Sequence, residues 1–104
     1  MSQYSYRDIE MKVLQWSEAR KIIPNATPQS QLNKALSELS ELFTAESQQN
    51  PGKVKDGVGD VVVCLINYCA LKDIDLVDCL ALAYDEIKDR RGTLMPDGTF
   101  VKEV

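Results

Sequence analysis

Lys55-Asp56-Gly57-Val58-Gly59-Asp60-Val61-Val62-Val63-Cys64-Leu65-Ile66-Asn67 sets two carboxylates into the most apolar run of a 104-residue chain. Read as a helix, the stretch places Asp56 and Asp60 one turn apart, about 6 Å along the axis, with Asn67 roughly two turns further along the same side. The valines favour strands, but the run is long, and Val54, Val58, Val61, Val62, Leu65 and Cys69 cluster at the helical period, which predicts a buried helix over 53–71. No Lys, Arg or His interrupts it from Asp56 to Leu71. A carboxylate against a packed core stays ionised only where something positive or hydrogen-bonding compensates it. Compensation for these acids therefore has to come from elsewhere in the fold, and a bound cation is one candidate.

Working outward, the stretch is preceded by Ser47-Gln48-Gln49-Asn50-Pro51-Gly52, a loop by composition. Before that loop, Leu32, Ala35, Leu36, Leu39, Leu42 and Phe43 form the apolar face of another helix, started by Thr27 as N-cap and Pro28 in the first turn. The first helix spans 5–21, with Ser5-x-x-Asp8 as its start signal and Ile9, Val13, Leu14 and Trp16 at helical spacing; Ile22-Ile23-Pro24-Asn25 stops it. After the central stretch, Lys72-Asp73-Ile74-Asp75 is a turn. Asp75-x-x-Asp78 then caps a fourth helix with Leu76, Leu80, Ala83, Tyr84 and Ile87 as core positions and Gly92 as its end. In the tail, Pro96-Asp97-Gly98 separates two short extended pieces and predicts a hairpin. The prediction is an all-α fold, four helices in a bundle with a short C-terminal β-hairpin, as a single domain over 1–104.

The net charge is −4, there is no histidine, and Lys and Arg are scattered rather than gathered into a stripe, so no nucleic-acid footprint is visible. An acidic protein handling a polyanion needs a metal to bridge the two. No apolar run reaches the length of a membrane span and the start lacks a signal-peptide core, which predicts a cytoplasmic protein without a membrane partner. Cys64, Cys69 and Cys79 lie within apolar helical patterns; with an odd number, no Cys-x-x-Cys and no histidine, they read as reduced packing residues rather than a zinc site.

On the second helix Lys34, Glu38 and Glu41 project within about 60° of one another, on the flank of the apolar face. A Lys34, Glu38 pair at i, i+4 is also what a solvated helix face offers. Asp60 is harder to solvate, because Val61, Val62, Val63 and Leu65 follow it at once. If the second and third helices run antiparallel across the loop 47–54, Glu38 and Glu41 face Asp56 and Asp60. Four acids in one pocket repel, each pair at 6 Å by roughly 3 kcal/mol at an effective dielectric near 20, so a cation or a bound proton must relieve them. Oxygen-only donors select hard ions, Mg²⁺ first and Mn²⁺ next, and Mg²⁺ prefers to share itself with phosphates.

Lys34-Ala35-Leu36-Ser37-Glu38-Leu39-Ser40-Glu41-Leu42, Asp56-Gly57-Val58-Gly59-Asp60-Val61, Ala83-Tyr84-Asp85-Glu86-Ile87-Lys88-Asp89-Arg90-Arg91-Gly92 and Phe100-Val101-Lys102-Glu103 together resemble the MazG-like family of all-α nucleoside triphosphate pyrophosphohydrolases. The resemblance runs from about Trp16 to Glu103. It implies a four-helix core, assembly through helix packing into homodimers or homotetramers, and Mg²⁺-dependent cleavage of a nucleoside triphosphate to the monophosphate and pyrophosphate. The family signature is Glu-Glu-x-x-Glu on one helix and Glu-x-x-Asp on the next. Glu38, Glu41 and Asp60 match it, whereas Ser37 and Gly57 stand where two of its glutamates would be, with Asp56 the nearest carboxylate to the second gap.

On that resemblance Glu38, Glu41, Asp56 and Asp60 hold the metal, and Glu41 or Glu38 also orients the attacking water. Lys34, Lys88 and Arg91 are candidates for the phosphate side, although Lys88, Arg90 and Arg91 also suit a helix C-terminal dipole. Asn67 can reach a base or sugar, or satisfy a core amide. Trp16 can stack on a base, but its spacing with Ile9 and Val13 also suits a core position. The competing class is a degenerate module that binds nucleotides without cleaving them, or a helical oligomeric interaction module with a vestigial acidic patch.

Overall fold

Three of the predicted helix starts are built as the sequence requires. In the computed structural model, which describes residues 3–103, Ser5 Oγ accepts from the Asp8 N–H at 3.2 Å to open α1 (Tyr6–Ala19), and Thr27 Oγ1 accepts from the Ser30 N–H at 3.0 Å to open the second predicted helix. A one-turn helix, α2 (Ile22–Asn25), lies between them where the sequence predicts only a stop, so the helix after Thr27 is α3 (Pro28–Ser47). α5 (Leu76–Ile87) starts at Asp75, whose Oδ1 accepts from the Val77 N–H at 2.8 Å.

The central helix, α4 (Pro51–Leu71), begins earlier than predicted, and Pro51 and Gly52 belong to it rather than to a loop. Asn50 Oδ1 caps it by accepting from the Lys53 N–H at 3.2 Å, and Pro51 occupies a first-turn position that has no use for an N–H. The connection from α3 shrinks to 48–50: Gln49 takes a left-handed conformation (φ 53°), and the Asn50 N–H donates back to Ala45 O at 3.0 Å. So short a turn forces α3 and α4 into an antiparallel pair, and this pair is the body of the molecule.

Along that pair, α4 positions 57, 60 and 67 meet α3 positions 42, 38 and 31 in turn. The α3 stripe turned inward is Gln31, Ala35, Glu38, Leu42 and Ala45. It is one position out of phase with much of the predicted apolar face. Leu32, Leu36, Leu39 and Phe43 form a second stripe that stays exposed, Phe43 by 72%. α1 packs on α4 through Val13, Leu14 and the fully buried Ser17 rather than through Trp16, and α2 also rests on α4.

α5 departs most from expectation. Among the described residues it meets α4 near their shared turn and no other helix covers it, so its predicted core residues Leu80, Ala83, Tyr84 and Ile87 are all exposed. Cys79 is exposed for the same reason, whereas Cys64 and Cys69 are buried as expected. The helix ends at Ile87, and Gly92 opens a strand instead of terminating it. β1 (Gly92–Leu94) pairs antiparallel with β2 (Phe100–Lys102) in the register Gly92 to Lys102, and a Cβ at Gly92 would run into the Val101 carbonyl and the Phe100 ring. Asp97 and Gly98 form the predicted turn, with Asp97 Oδ1 accepting from the Thr99 N–H at 2.9 Å. Helix α5 and the hairpin thus project as an arm. The radius of gyration, 16.3 Å, accordingly exceeds the value of about 13 Å for a compact chain of this size. Among the described residues, no helix is long and apolar enough to cross a membrane.

Candidate functional site

The antiparallel register of α3 and α4 brings the acids together as a row, Glu41 to Glu38 to Asp60 to Asp56, each touching the next. Glu38 is the buried member, 8% exposed; Asp60 is half-buried, and Glu41 and Asp56 reach solvent. Among the described residues, positive charge reaches the row at one point, Lys34. Lys34 Nζ lies 3.0 Å from Glu38 Oε1, one helical turn away on the same helix. That pairing holds the Glu38 carboxyl below its usual range against the opposing effect of burial, with Glu41 and Asp60 adding hydrogen-bonding contact.

Among the described residues, no cation is paired with Asp60. Burial, and next the charges of Asp56 and Glu38, push its carboxyl above the usual range. Cys64, one turn further along α4, is also pushed up, by burial first and then by the Glu38 charge. The donor set is therefore oxygen-rich and short of positive charge, the chemistry that a hard divalent ion satisfies. Among the described residues, no three acidic or thiol side chains close around one point, so the row lines a seam rather than a finished cage.

Gly57 explains the shape of the row. It is buried against α3, and a Cβ there would lie 3.2 Å from Leu42 Cδ1, 3.3 Å from Leu42 Cβ and 3.5 Å from Leu42 Cα. The position where the MazG-like signature carries a glutamate faces Leu42 of the neighbouring helix. Asp56, one residue earlier, reaches Asp60 from the solvent side instead.

The remaining sequence candidates lie apart from the acids. Asn67 is 3% exposed and has both ends of its amide engaged: Oδ1 accepts from Ser17 Oγ at 2.6 Å, and Nδ2 donates to Gln31 Oε1 at 3.4 Å. This network ties α1, α3 and α4 together. Sequence alone does not single out Ser17 or Gln31; the signal for Ser17 is its i+3, i+4 spacing from Leu14 and Val13, where a hydroxyl on a packed face needs a partner. Trp16 is 48% exposed, stacked under the Arg20 guanidinium at 5.3 Å, and shares a shallow apolar cleft with Lys12, Val13 and Val63, the last of these less than one turn from Asp60. Lys88 bridges to Asp85 at 3.3 Å on its own helix, and Arg91 lies beside the hairpin with Glu86 and Lys102. Within one chain neither approaches α3, since the arm that carries them makes no contact with it.

No family model matches the chain. Over 63 residues it is 33% identical to an uncharacterised 18.2 kDa protein of Haemophilus phage HP1 (strain HP1c1), a match covering 61% of this chain and 39% of that protein's length. Among solved structures, a cyanophage S-2L MazG-like pyrophosphohydrolase, bound to dGDP and three catalytic Mn²⁺ ions per active site, is similar at a TM-score of 0.71, with 98% of this chain and 96% of that one covered at 16% identity. The chain has the MazG-like all-α fold, as its resemblance to the family implies.

Proposed function

We propose that the chain is a divalent-metal-dependent nucleoside triphosphate pyrophosphohydrolase that releases nucleoside monophosphate and pyrophosphate, in a cytoplasmic house-cleaning role on the nucleotide pool. The observation that carries this reading is the row of Glu41, Glu38, Asp60 and Asp56 on the α3–α4 seam of a MazG-like fold, with the half-buried Asp60 between Glu38 and Asp56. These residues fit Mg²⁺, or Mn²⁺ as in the cyanophage protein. Bound there, a divalent ion supplies positive charge to the phosphates and makes water more acidic.

The side chains divide the remaining work. Lys34 neutralises Glu38 at 3.0 Å, which leaves the exposed Glu41 as the carboxylate free to accept a proton from the attacking water. Asp56 and Asp60 complete the acidic set from α4. Trp16, half-exposed on α1 and sharing its cleft with Val63, offers a face on which a base stacks. Lys88 and Arg91 sit on the projecting arm, and they serve phosphates if a second copy of the chain brings an arm to the seam. The exposed stripe of Leu32, Leu36, Leu39 and Phe43, together with Leu80, Tyr84 and Ile87 on α5, supports a homodimer or homotetramer. Sedimentation of the wild-type chain as a monomer at micromolar concentration would remove that assembly; a Leu36→Glu variant that sediments lighter than wild type supports it.

The deciding assay is pyrophosphate release from a panel of ribo- and deoxynucleoside triphosphates, deoxyguanosine nucleotides included, with Mg²⁺ and with Mn²⁺. Asp60→Asn should abolish release while leaving the circular-dichroism spectrum and melting curve close to wild type. Turnover by that variant at the wild-type rate would refute the metal assignment. One observation favours a second reading: at Gly57, where the signature has a glutamate, a side chain would crowd Leu42 from 3.2 Å. On that reading the chain binds nucleotides without cleaving them, and calorimetry then shows metal-dependent nucleotide binding with no pyrophosphate released.

A further inference from the structure

The turn between α4 and α5 is held by two hydrogen bonds that also place two cysteines. Asp73 takes a left-handed conformation (φ 57°), and the Ile74 N–H donates back to the Cys69 carbonyl at 2.9 Å, closing the end of α4. The next residue, Asp75, caps α5, and its carbonyl accepts from the Cys79 N–H at 3.0 Å as the first hydrogen bond of that helix. Each cysteine is thus tied by its own backbone to one side of the same corner, Cys69 on α4 and Cys79 on α5. Both thiols line a cleft of about 680 Å³ shared with Arg7, Glu10 and Asp75. Cys79 is exposed and Cys69 is buried.

We infer that Cys69 and Cys79 are a redox-closable pair, converted by a small disulfide oxidant such as oxidised glutathione into an intrachain disulfide that staples α5 to the end of α4. The first step falls to the accessible thiol. Cys79, as thiolate, attacks one sulfur of the oxidant, forms a mixed disulfide and expels one glutathione thiolate. Cys69, as thiolate, then attacks the Cys79 sulfur, forming the Cys69–Cys79 bond and expelling the second glutathione thiolate. The protons lost by the two cysteines pass to the two glutathiones, so the chain is oxidised by two electrons and the oxidant is reduced by two. Burial, and then the nearby Cys79 thiol, push the Cys69 thiol up, which suits it to the second, intramolecular step rather than to reaction with an outside partner.

The consequence falls on the arm. α5 meets the body only near this turn and through the ion pair of Arg7 with Asp75 at 3.0 Å. A disulfide there fixes the angle at which α5 and the hairpin leave the body, whatever reaction the acidic row performs. The pair is independent of the proposed hydrolase activity and stands or falls by its own chemistry.

The test treats the full chain with oxidised glutathione, alkylates remaining thiols without reduction, and digests with trypsin, which cleaves after Lys72 between the two cysteines. The expected product is a peptide pair joined through Cys69 and Cys79, with Cys64 alkylated after unfolding, no disulfide-linked dimer on non-reducing electrophoresis, and a melting temperature that rises and returns on adding dithiothreitol. Cys64→Ala should give the same product, and Cys79→Ser, at an exposed position, should lose both the linked peptides and the shift. Stable glutathione on Cys79, disulfide-linked dimers, or alkylation of all three cysteines after prolonged oxidation would each overturn the inference.

Discussion

Gly57 and Gly59 sit two residues apart in the interior of α4, and their surroundings make opposite demands. Replacing either with alanine removes the conformational cost of glycine in a helix, a gain of about 0.8–1.0 kcal/mol. At Gly59 a new methyl meets nothing within 4 Å, so that gain should be realised in full. At Gly57 it meets Leu42 Cδ1 at 3.2 Å and Leu42 Cβ at 3.3 Å. The Cδ1 atom can rotate aside, but Cβ moves only with the α3 backbone, and overpacking of this kind costs about 1–3 kcal/mol. Because the propensity gain is common to both variants, their difference isolates the close approach. Gly59→Ala should be more stable than Gly57→Ala by about 1–3 kcal/mol, roughly 4–8 °C in melting temperature for each kcal/mol in a domain of this size. Urea denaturation at one fixed protein concentration measures it, since self-association would otherwise shift both midpoints. Equal stabilisation by the two alanines would refute the assigned α3–α4 contact. Gly57→Glu, which introduces the glutamate of the MazG-like signature, should destabilise further and should not tighten metal binding.

Other expectations follow from the buried network and the α1–α5 bridge. Ser17→Ala leaves the Asn67 Oδ1 acceptor buried without its 2.6 Å partner, and should cost about 1–3 kcal/mol; the Ser17→Ala, Asn67→Leu double variant should recover part of that loss. Additive effects in the cycle would show that the hydroxyl and the amide act separately. The Arg7 guanidinium, by its hydrogen bond, holds the Asp75 carboxyl below its ordinary value of 3.8, so ionised Asp75 favours the folded chain. The stabilisation is complete above pH 3.8 and is lost as pH falls through the lowered folded value. The gap in denaturation midpoint between wild type and Arg7→Met should therefore close as pH is taken below that range, and a gap constant with pH would refute the pairing.

Local chemistry was legible in the sequence wherever a residue acts on its own neighbours. Ser5, Thr27 and Asp75 cap the helices they were predicted to cap, and Pro96-Asp97-Gly98 turns the hairpin. Asn50 shows the limit of reading by composition: an Asn-Pro-Gly string resembles a loop, yet an asparagine cap and a first-turn proline start a helix equally well. Phase was less legible. An apolar face wider than one stripe does not state which part turns inward, and α3 has inward Ala35 and Leu42 beside outward Leu36, Leu39 and Phe43. Nor does it state whether a covering surface belongs to the same chain, which is why the apolar residues of α5 read as core. Of the candidate site, the meeting of Glu38 with Asp60 follows from pattern and an antiparallel turn. The Ser17–Asn67 bond does not, because it depends on how α1 is rotated against α4.

The same contact that removes an acid from the row also assembles the rest of it. Leu42 lies one turn after Glu38 on α3, and Gly57 lies three residues before Asp60 on α4. With the helices antiparallel, the Gly57–Leu42 contact is the step of the seam next to the Glu38–Asp60 contact. A side chain at position 57 would hold the helices apart one step from the place where the two best-matched acids touch. The glycine therefore exchanges one carboxylate for proximity between two others, and Asp56 supplies its carboxylate from the solvent side, where no helix obstructs it. On this account the departure from the MazG-like signature is a rearrangement of the acidic row around a close helix pair, and under the proposed function Asp60, between Glu38 and Asp56, is the residue whose substitution tests it.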